Sequence, residues 1–393
     1  MKKLLLVTLI FLPLLIFSEN LSVSYKFDDF SLETTDNFQI LRINNCKMKG
    51  KGGKPLLPYH PIKILLPPGH TASKYKFVRE NPIKIKLDKL IKPAKLPRPI
   101  SKIKDKEKFF NTKIYDSKES FPQVYHTTPN THFFNGTSFA IGNFTPVTYN
   151  PSKKYIILYQ NIELTVETQL DDKAQNSLNL LNLNEPNRRI INSFAQNPQL
   201  INYYQELEER NVAKNIIITG EQFENDYDAL KNHYLKKGYL TEIKTVESIE
   251  NEYGTYPDTP AKIREFIIDQ AADFNIGHVL LAGDVQTVPY RGLYCEVESS
   301  SIYEDYDIPA DLYYAALDGN WDDNENGVWG EPGEADLLPD LSIGRISFNS
   351  QTELEIIINK TISYQTNPVL NELRDPLLVG EHLWDNPEAW GGD

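Results

Sequence analysis

Apolar positions along this chain follow one period in the first half and two alternating periods in the second. Between Leu21 and about Gln169 short apolar runs are separated by Pro and Gly: Ile62 to Leu66 before Pro67, Ile83 to Leu87, Tyr155 to Leu158, and Ile162 to Val166. In the last of these Ile162, Leu164 and Val166 share one face, the period-two pattern of a half-buried strand. Several such strands at short spacing, with no helical period among them, predict an all-β, sandwich-like domain over 19–170.

After Val212 strand and helix patterns alternate. Asn215 to Thr219 predicts a strand, and Phe223, Tyr227, Leu230 and Tyr234 recur at helical spacing until Gly238. A second strand covers Leu240 to Val246. Thr259 and Pro260 then suit an N-cap and first helical position ahead of Ile263, Phe266 and Ile267. His278 to Ala282 is a continuous apolar strand, Leu341 to Ile346 another, and Pro376 to Gly380 a third. Ser350 and Glu353 form a capping-box pattern before a helix with Leu354, Ile357 and Ile358 on its inner side. This order predicts an α/β domain over 213–393 with three layers, a mostly parallel sheet, and ligands at the strands' carboxyl ends. Between the two domains, Asn176 to Asn202 is rich in Asn, Leu and Gln and lacks a clear period, so 171–212 reads as a linker or an ordered extension.

The N-terminus adds an address. Met1, Lys2 and Lys3 precede an apolar run from Leu4 to Phe17 and a small residue at Ser18, the pattern of a secretory signal peptide over 1–18. No later run reaches the roughly 20 apolar residues of a membrane helix, so the mature product is expected secreted or at the cell surface, without a membrane span. A net charge of -13 argues against nucleic acid as a partner, since phosphate binding needs a concentrated basic surface. The Lys-rich stretch from Lys84 to Lys108 is interrupted by Pro and reads as a solvated loop. Only Cys46 and Cys295 are present, one in each expected domain, which argues against a disulfide scaffold; neither has the surroundings of a nucleophile.

Two carboxylates stand just past strand ends, Asp284 after Leu-Leu-Ala-Gly and Glu381 after Leu-Leu-Val-Gly. Each preceding Gly permits the sharp turn that sets an acid on the sheet's functional rim, where helix caps and turns also recruit acids. From Asp318 the chain runs Gly-Asn320-Trp-Asp322-Asp-Asn324-Glu-Asn326-Gly327, within a segment free of Lys and Arg from Glu296 to Asp340. Alternating oxygen side chains followed by Gly suit a hard cation such as Ca²⁺, which takes six to eight oxygens. The start resembles an EF-hand loop, although Gly333 stands where that motif needs a bidentate Glu. Zinc is disfavoured because no His or Cys pair lies there at ligand spacing.

Taken in order, His278-Val-Leu-Leu-Ala-Gly-Asp-Val-Gln-Thr-Val-Pro289, Ala310-Asp-Leu-Tyr-Tyr314, the acidic loop, Leu338-Pro-Asp-Leu-Ser-Ile-Gly-Arg345 and Asn359-Lys-Thr-Ile-Ser-Tyr364 resemble the gingipain family of cysteine peptidases. Lys54-Pro-Leu-Leu-Pro-Tyr59 and Ile62-Lys-Ile-Leu-Leu-Pro-Pro-Gly69 are similar to the β-rich propeptide of such enzymes. The resemblance implies a caspase-like domain in which a Cys thiolate attacks the carbonyl of a protein or peptide substrate, a His acts as base and then acid, and an acid orients the His. It implies Glu381 as that acid, and structural calcium on Asp284, Asp318, Asp322 and Asp340; the alternating-oxygen pattern of the loop adds Asn320, Asn324 and Asn326 as additional candidate ligands. It also places Asp393 near a specificity pocket.

Neither His278 nor His382 has the expected Gly-flanked setting, so the family's His and Cys are expected beyond Asp393 and the chain as given is expected inactive. The propeptide would restrain the enzyme until cleavage near Arg188-Arg189 or Arg210. The competing expectation is a secreted, non-catalytic calcium-binding adhesion module on the same scaffold. A third reading, a doubly wound nucleotide binder, is disfavoured by the lack of a Gly-rich phosphate loop after Thr219.

Overall fold

The computed structural model describes residues 20–95, 111–205, 213–273, 275–298, 302–375, 377, 382–384 and 389–390. The first half holds strands β1 (Asn20–Lys26), β2 (Phe30–Thr34), β3 (Gln39–Ile43), β4 (Lys47–Lys49), β5 (Leu57–Leu65), β6 (His70–Lys86), β7 (Asn130–Phe134), β8 (Thr137–Phe144), β9 (Val147–Asn150) and β10 (Tyr155–Leu170), with a short helix α1 (Thr112–Tyr115) between β6 and β7. One antiparallel sheet runs β1-β10-β6 with β9 also on β10, and another runs β4-β5-β8-β7. The two sheets share a core: Ile62, Ile64, Ala140 and Phe144 of the second pack in the same cluster as Ile156, Leu158, Ile162, Leu164 and Val166 of β10. The two separate strands expected over Tyr155 to Val166 are thus one long strand, because β6 pairs with it throughout.

The segment expected as linker or extension is ordered from 171 to 205. It forms α2 (Asp172–Ser177), α3 (Glu185–Phe194) and a 3₁₀ turn over Pro198–Tyr203. Asp171 caps α2 with Oδ1, which accepts from Lys173 and Ala174 N–H, and Asn184 caps α3. Leu181, Leu183, Ile191, Ile201 and Tyr204 bury against Leu65 and Phe139, so this helical run belongs to the first unit's packing. Its Asn-rich composition hid the apolar contacts, which come from separate short turns and share no single period.

The second half holds β11 (Ala213–Thr219), α4 (Asp228–Leu235), β12 (Leu240–Thr245), α5 (Val246–Glu252), α6 (Thr259–Asp273), β13 (Asn275–Ala282), β14 (Arg291–Glu298), β15 (Ile302–Ala310), α7 (Leu312–Ala315), β16 (Ser342–Ile346), α8 (Gln351–Thr366), α9 (Leu370–Arg374), β17 (His382–Trp384) and β18 (Ala389–Trp390). A parallel sheet runs β12-β11-β13-β16. Successive strand residues face opposite sides. Ile216, Ile218, Val279 and Leu281 pack with Val246 and Ile249 of α5 and Ile263, Phe266 and Ile267 of α6. Ile217, Leu280 and Ala282 pack with Leu230 of α4 and Leu354 and Ile358 of α8. Strands β14 and β15 form a separate antiparallel ribbon. The strand expected over Pro376 to Gly380 falls largely outside the described residues.

Two caps differ in detail from the sequence pattern. Asp258, one residue before Thr259, accepts from Ala261 N–H at 2.9 Å and begins α6. At α8, Ser350 accepts from Glu353 N–H at 3.4 Å, but the Glu353 carboxylate returns to Asn349 N–H at 2.9 Å, one residue outside the reciprocal box.

Candidate functional site: a buried carboxylate group

The loop after α7 is anchored rather than free. Trp321 is fully buried at a φ of 67°, in the left-handed region that bulky residues rarely enter, and its Nε1 donates to Ala316 O at 3.4 Å. From α6, Arg264 donates to Tyr313 O and Ala316 O at 2.9 Å and to Gly319 O at 2.7 Å. Arg291 pairs with Asp258 at 2.7 and 2.9 Å and lies 3.9 Å over the Trp329 ring. The two guanidiniums and the indole hold both ends of the acidic stretch against the helix that caps the sheet.

This anchoring draws Asp318, Asp336 and Asp340 together. Asp318 is half-buried as a residue, but both of its carboxylate oxygens are shut off from solvent, and neither meets a hydrogen-bond donor. Its close contact is with the Asp340 carboxyl, a pairing of two acceptors that calls for a proton or a cation between them. Burial first, then the charges of Asp340 and Asp336, push the Asp318 carboxyl well above the usual range. Asp336 accepts from Gly319 N–H at 3.2 Å and Leu338 N–H at 3.3 Å, yet burial and the Asp340 charge hold it at about 7. Asp340 accepts from Leu317 N–H at 2.7 Å and Asn135 N–H at 2.6 Å; burial still raises its carboxyl. Glu334 adds another buried oxygen without a partner. Gly319 leaves no room for a side chain, since a Cβ there would stand 2.6 Å from Asp336 Cβ. A cavity of about 300 Å³ opens beside the group, lined by Asp318, Glu334 and Asp336 on one side.

The other candidate residues lie elsewhere. Asp284 follows Gly283, whose φ of 144° is glycine territory, and its Oδ1 accepts from Gln286 N–H at 3.0 Å and Thr287 N–H at 3.2 Å. Asp322 accepts from Asn326 N–H at 3.0 Å and Gly327 N–H at 3.1 Å. Asn324 and Asn326 both donate to Glu331, and Asn320 lines the cavity. The loop's alternating oxygens thus accept from the loop's own N–H groups, Asp322 Oδ1 and Asn324 Oδ1 both from Asn326. Among the described residues no three His, Cys, Asp or Glu side chains stand at closed metal-ligand spacing. Cation fit therefore rests on the orphaned oxygens of Asp318 and Glu334 and on an all-oxygen donor set suited to a hard ion.

Sequence reasoning passed over Asp336, Glu334 and Arg264. Asp336 stands four residues before Asp340 in a stretch without Lys or Arg, a usable signal; nothing local marks Arg264. Glu381, Asp393 and Arg210 lie outside the described residues, whereas Arg188 and Arg189 lie within α3.

Comparison with known proteins bears on both halves. The family model Peptidase family C25 matches 208–390, and the model Propeptide_C25 matches 22–199. Gingipain R2 of Porphyromonas gingivalis is 24% identical over 286 residues, 72% of this chain and 34% of that protein. Gingipain R1 of the same organism is 24% identical over 261 residues, 65% of this chain and 22% of that protein. The chain thus spans about a third or less of the length of these curated relatives. The complex of Porphyromonas gingivalis RgpB pro- and mature domains aligns with a TM-score of 0.36 and 19% identity, covering 46% of this chain and 92% of that one. Among the described residues no helix is long and apolar enough to cross a membrane.

Proposed function

Because the chain belongs to peptidase family C25 and carries that family's propeptide ahead of its peptidase segment, we propose that it is a secreted cysteine endopeptidase zymogen stabilised by calcium. The observation that carries this reading is the order of the two family matches along a single chain. In this reading the peptidase segment is caspase-like. A Cys thiolate attacks the peptide carbonyl, a His takes the thiol proton and returns it to the leaving amine, and Glu381 orients that His. Neither cysteine of the sequence is assigned as that nucleophile. Cys46 lies in the propeptide, where burial pushes its thiol up to about 12 and keeps it protonated, and Cys295 is exposed on the β14–β15 ribbon.

Asp318, Asp336 and Asp340, with Glu334 and Asn320 at the cavity, would hold the cation. A divalent ion there would supply the countercharge that Asp318 lacks. Asp284 and Asp322, whose carboxylates close turns, are left out of this set. Production of the gene's whole reading frame and labelling with a thiol-directed peptide probe tests the enzyme reading. Labelling that appears on propeptide removal is the expected result. A product that never labels once its propeptide has been cleaved would refute it.

A further inference from the structure

The carboxylate group is not walled by the peptidase segment alone. The face of its cavity opposite Asp318 is built from propeptide residues, among them Thr71, Asn130, His132, Asp171 and Lys173. Polar contacts among the described residues cross the seam. Lys173 Nζ meets both oxygens of Asp323 at 2.9 and 3.1 Å, and Asn135 N–H donates to Asp340 Oδ1 at 2.6 Å. The Asn135 donor is held by the propeptide's own structure. Asn135 and Gly136 take φ of 49° and 73°, and Asn187 of α3 donates to Asn135 Oδ1 at 2.9 Å. A Cβ on Gly136 would stand 2.5 Å from the Leu181 backbone, so the turn is wedged against the helical extension.

We propose that the propeptide forms one wall of the cation pocket, so that cation loading and propeptide retention strengthen each other. The proposal rests on the cation reading of the Asp318 group and adds its regulation. Closing the propeptide over Asp318 removes water from a carboxylate that receives no donor in exchange. A divalent cation already on the group replaces that lost solvation, and the loaded form therefore docks the propeptide more readily. By linkage, the docked propeptide raises cation affinity by the same factor. The helical extension takes part through Lys173 and through Asn187, which holds the Asn135 turn.

The test uses the full chain with a site-specific protease recognition sequence placed within 206–212. After cutting, release of the non-covalently held propeptide is timed in Ca²⁺ and in chelator, while calorimetric titration with Ca²⁺ on the uncut chain reports binding. Release about tenfold slower in Ca²⁺ is expected. Asp318→Asn and Asp336→Asn should each release at one rate in both conditions, and Lys173→Ala should speed release while keeping the Ca²⁺ ratio. If the titration shows binding but release is unchanged or faster in Ca²⁺, the coupling is overturned and the cation reading stands. If no Ca²⁺ binds, both fall.

Discussion

Asp336 shows how one buried side chain sets a pH dependence. Burial, then the Asp340 charge, raises its carboxyl from 3.8 to about 7. Between those values the folded chain keeps a proton that the unfolded chain has released, so stability falls as pH rises. The contribution is complete below about pH 4 and lost as pH climbs through about 7, a span on the order of 4 kcal/mol. In chelator, the parent protein's Tm is expected to drop over this range relative to Asp336→Asn, a comparison in which the other carboxylates cancel. Thermal melts at several pH values check this, and parallel curves for the two proteins would count against it. The same residue was hard to read beforehand: in sequence it is one acid among many, and what separates it from its exposed neighbours is burial under Arg264 and Gly319.

At the scale of elements, periodicity carried most of the information. β11, β13, β16 and α8 lie where the apolar pattern set them, because each buries a face against the sheet or is the sheet. The pattern failed where burial is shared among short turns. α3 buries Ile191, and Arg188 Nε donates to Leu183 O at 3.0 Å. A protease needs extended backbone at the bond it cuts, which a packed helix withholds. Limited trypsin digestion of the native chain is therefore expected to leave the bonds after Arg188 and Arg189 uncut in the first fragments, read by mass spectrometry. Early cleavage within α3 would overturn this and restore the Arg pair as an activation site. In the acidic loop, polar spacing alone does not show that Trp321 buries in its midst or that Asp322 accepts from the loop's own N–H groups.

For the molecule as a whole, the carboxylate group ties loop, sheet and propeptide together. A cation bound only by the folded chain stabilises it by mass action, about 2.7 kcal/mol at a hundred times Kd. Ca²⁺ is expected to raise the Tm of the full chain and chelator to remove the gain, with Asp318→Asn insensitive to both. An unchanged midpoint in differential scanning calorimetry would argue against calcium at this site. Asp318 and Asp340 lie on either side of the acidic stretch, and Asn135 in another unit, so such binding requires the assembled fold.

Local order, the succession of a β unit and a β/α unit, and the supply of oxygen side chains after α7 were all determined by the sequence itself. Hydrophobic period reports which face of an element leaves water, and that is a local property. Tertiary structure alone decided that Asp318 meets Asp336 and Asp340, that Arg264 holds the loop carbonyls, and that the Asn135 turn reaches Asp340. Those meetings depend on which elements share a wall, and their energetics depend on the water excluded when the walls close.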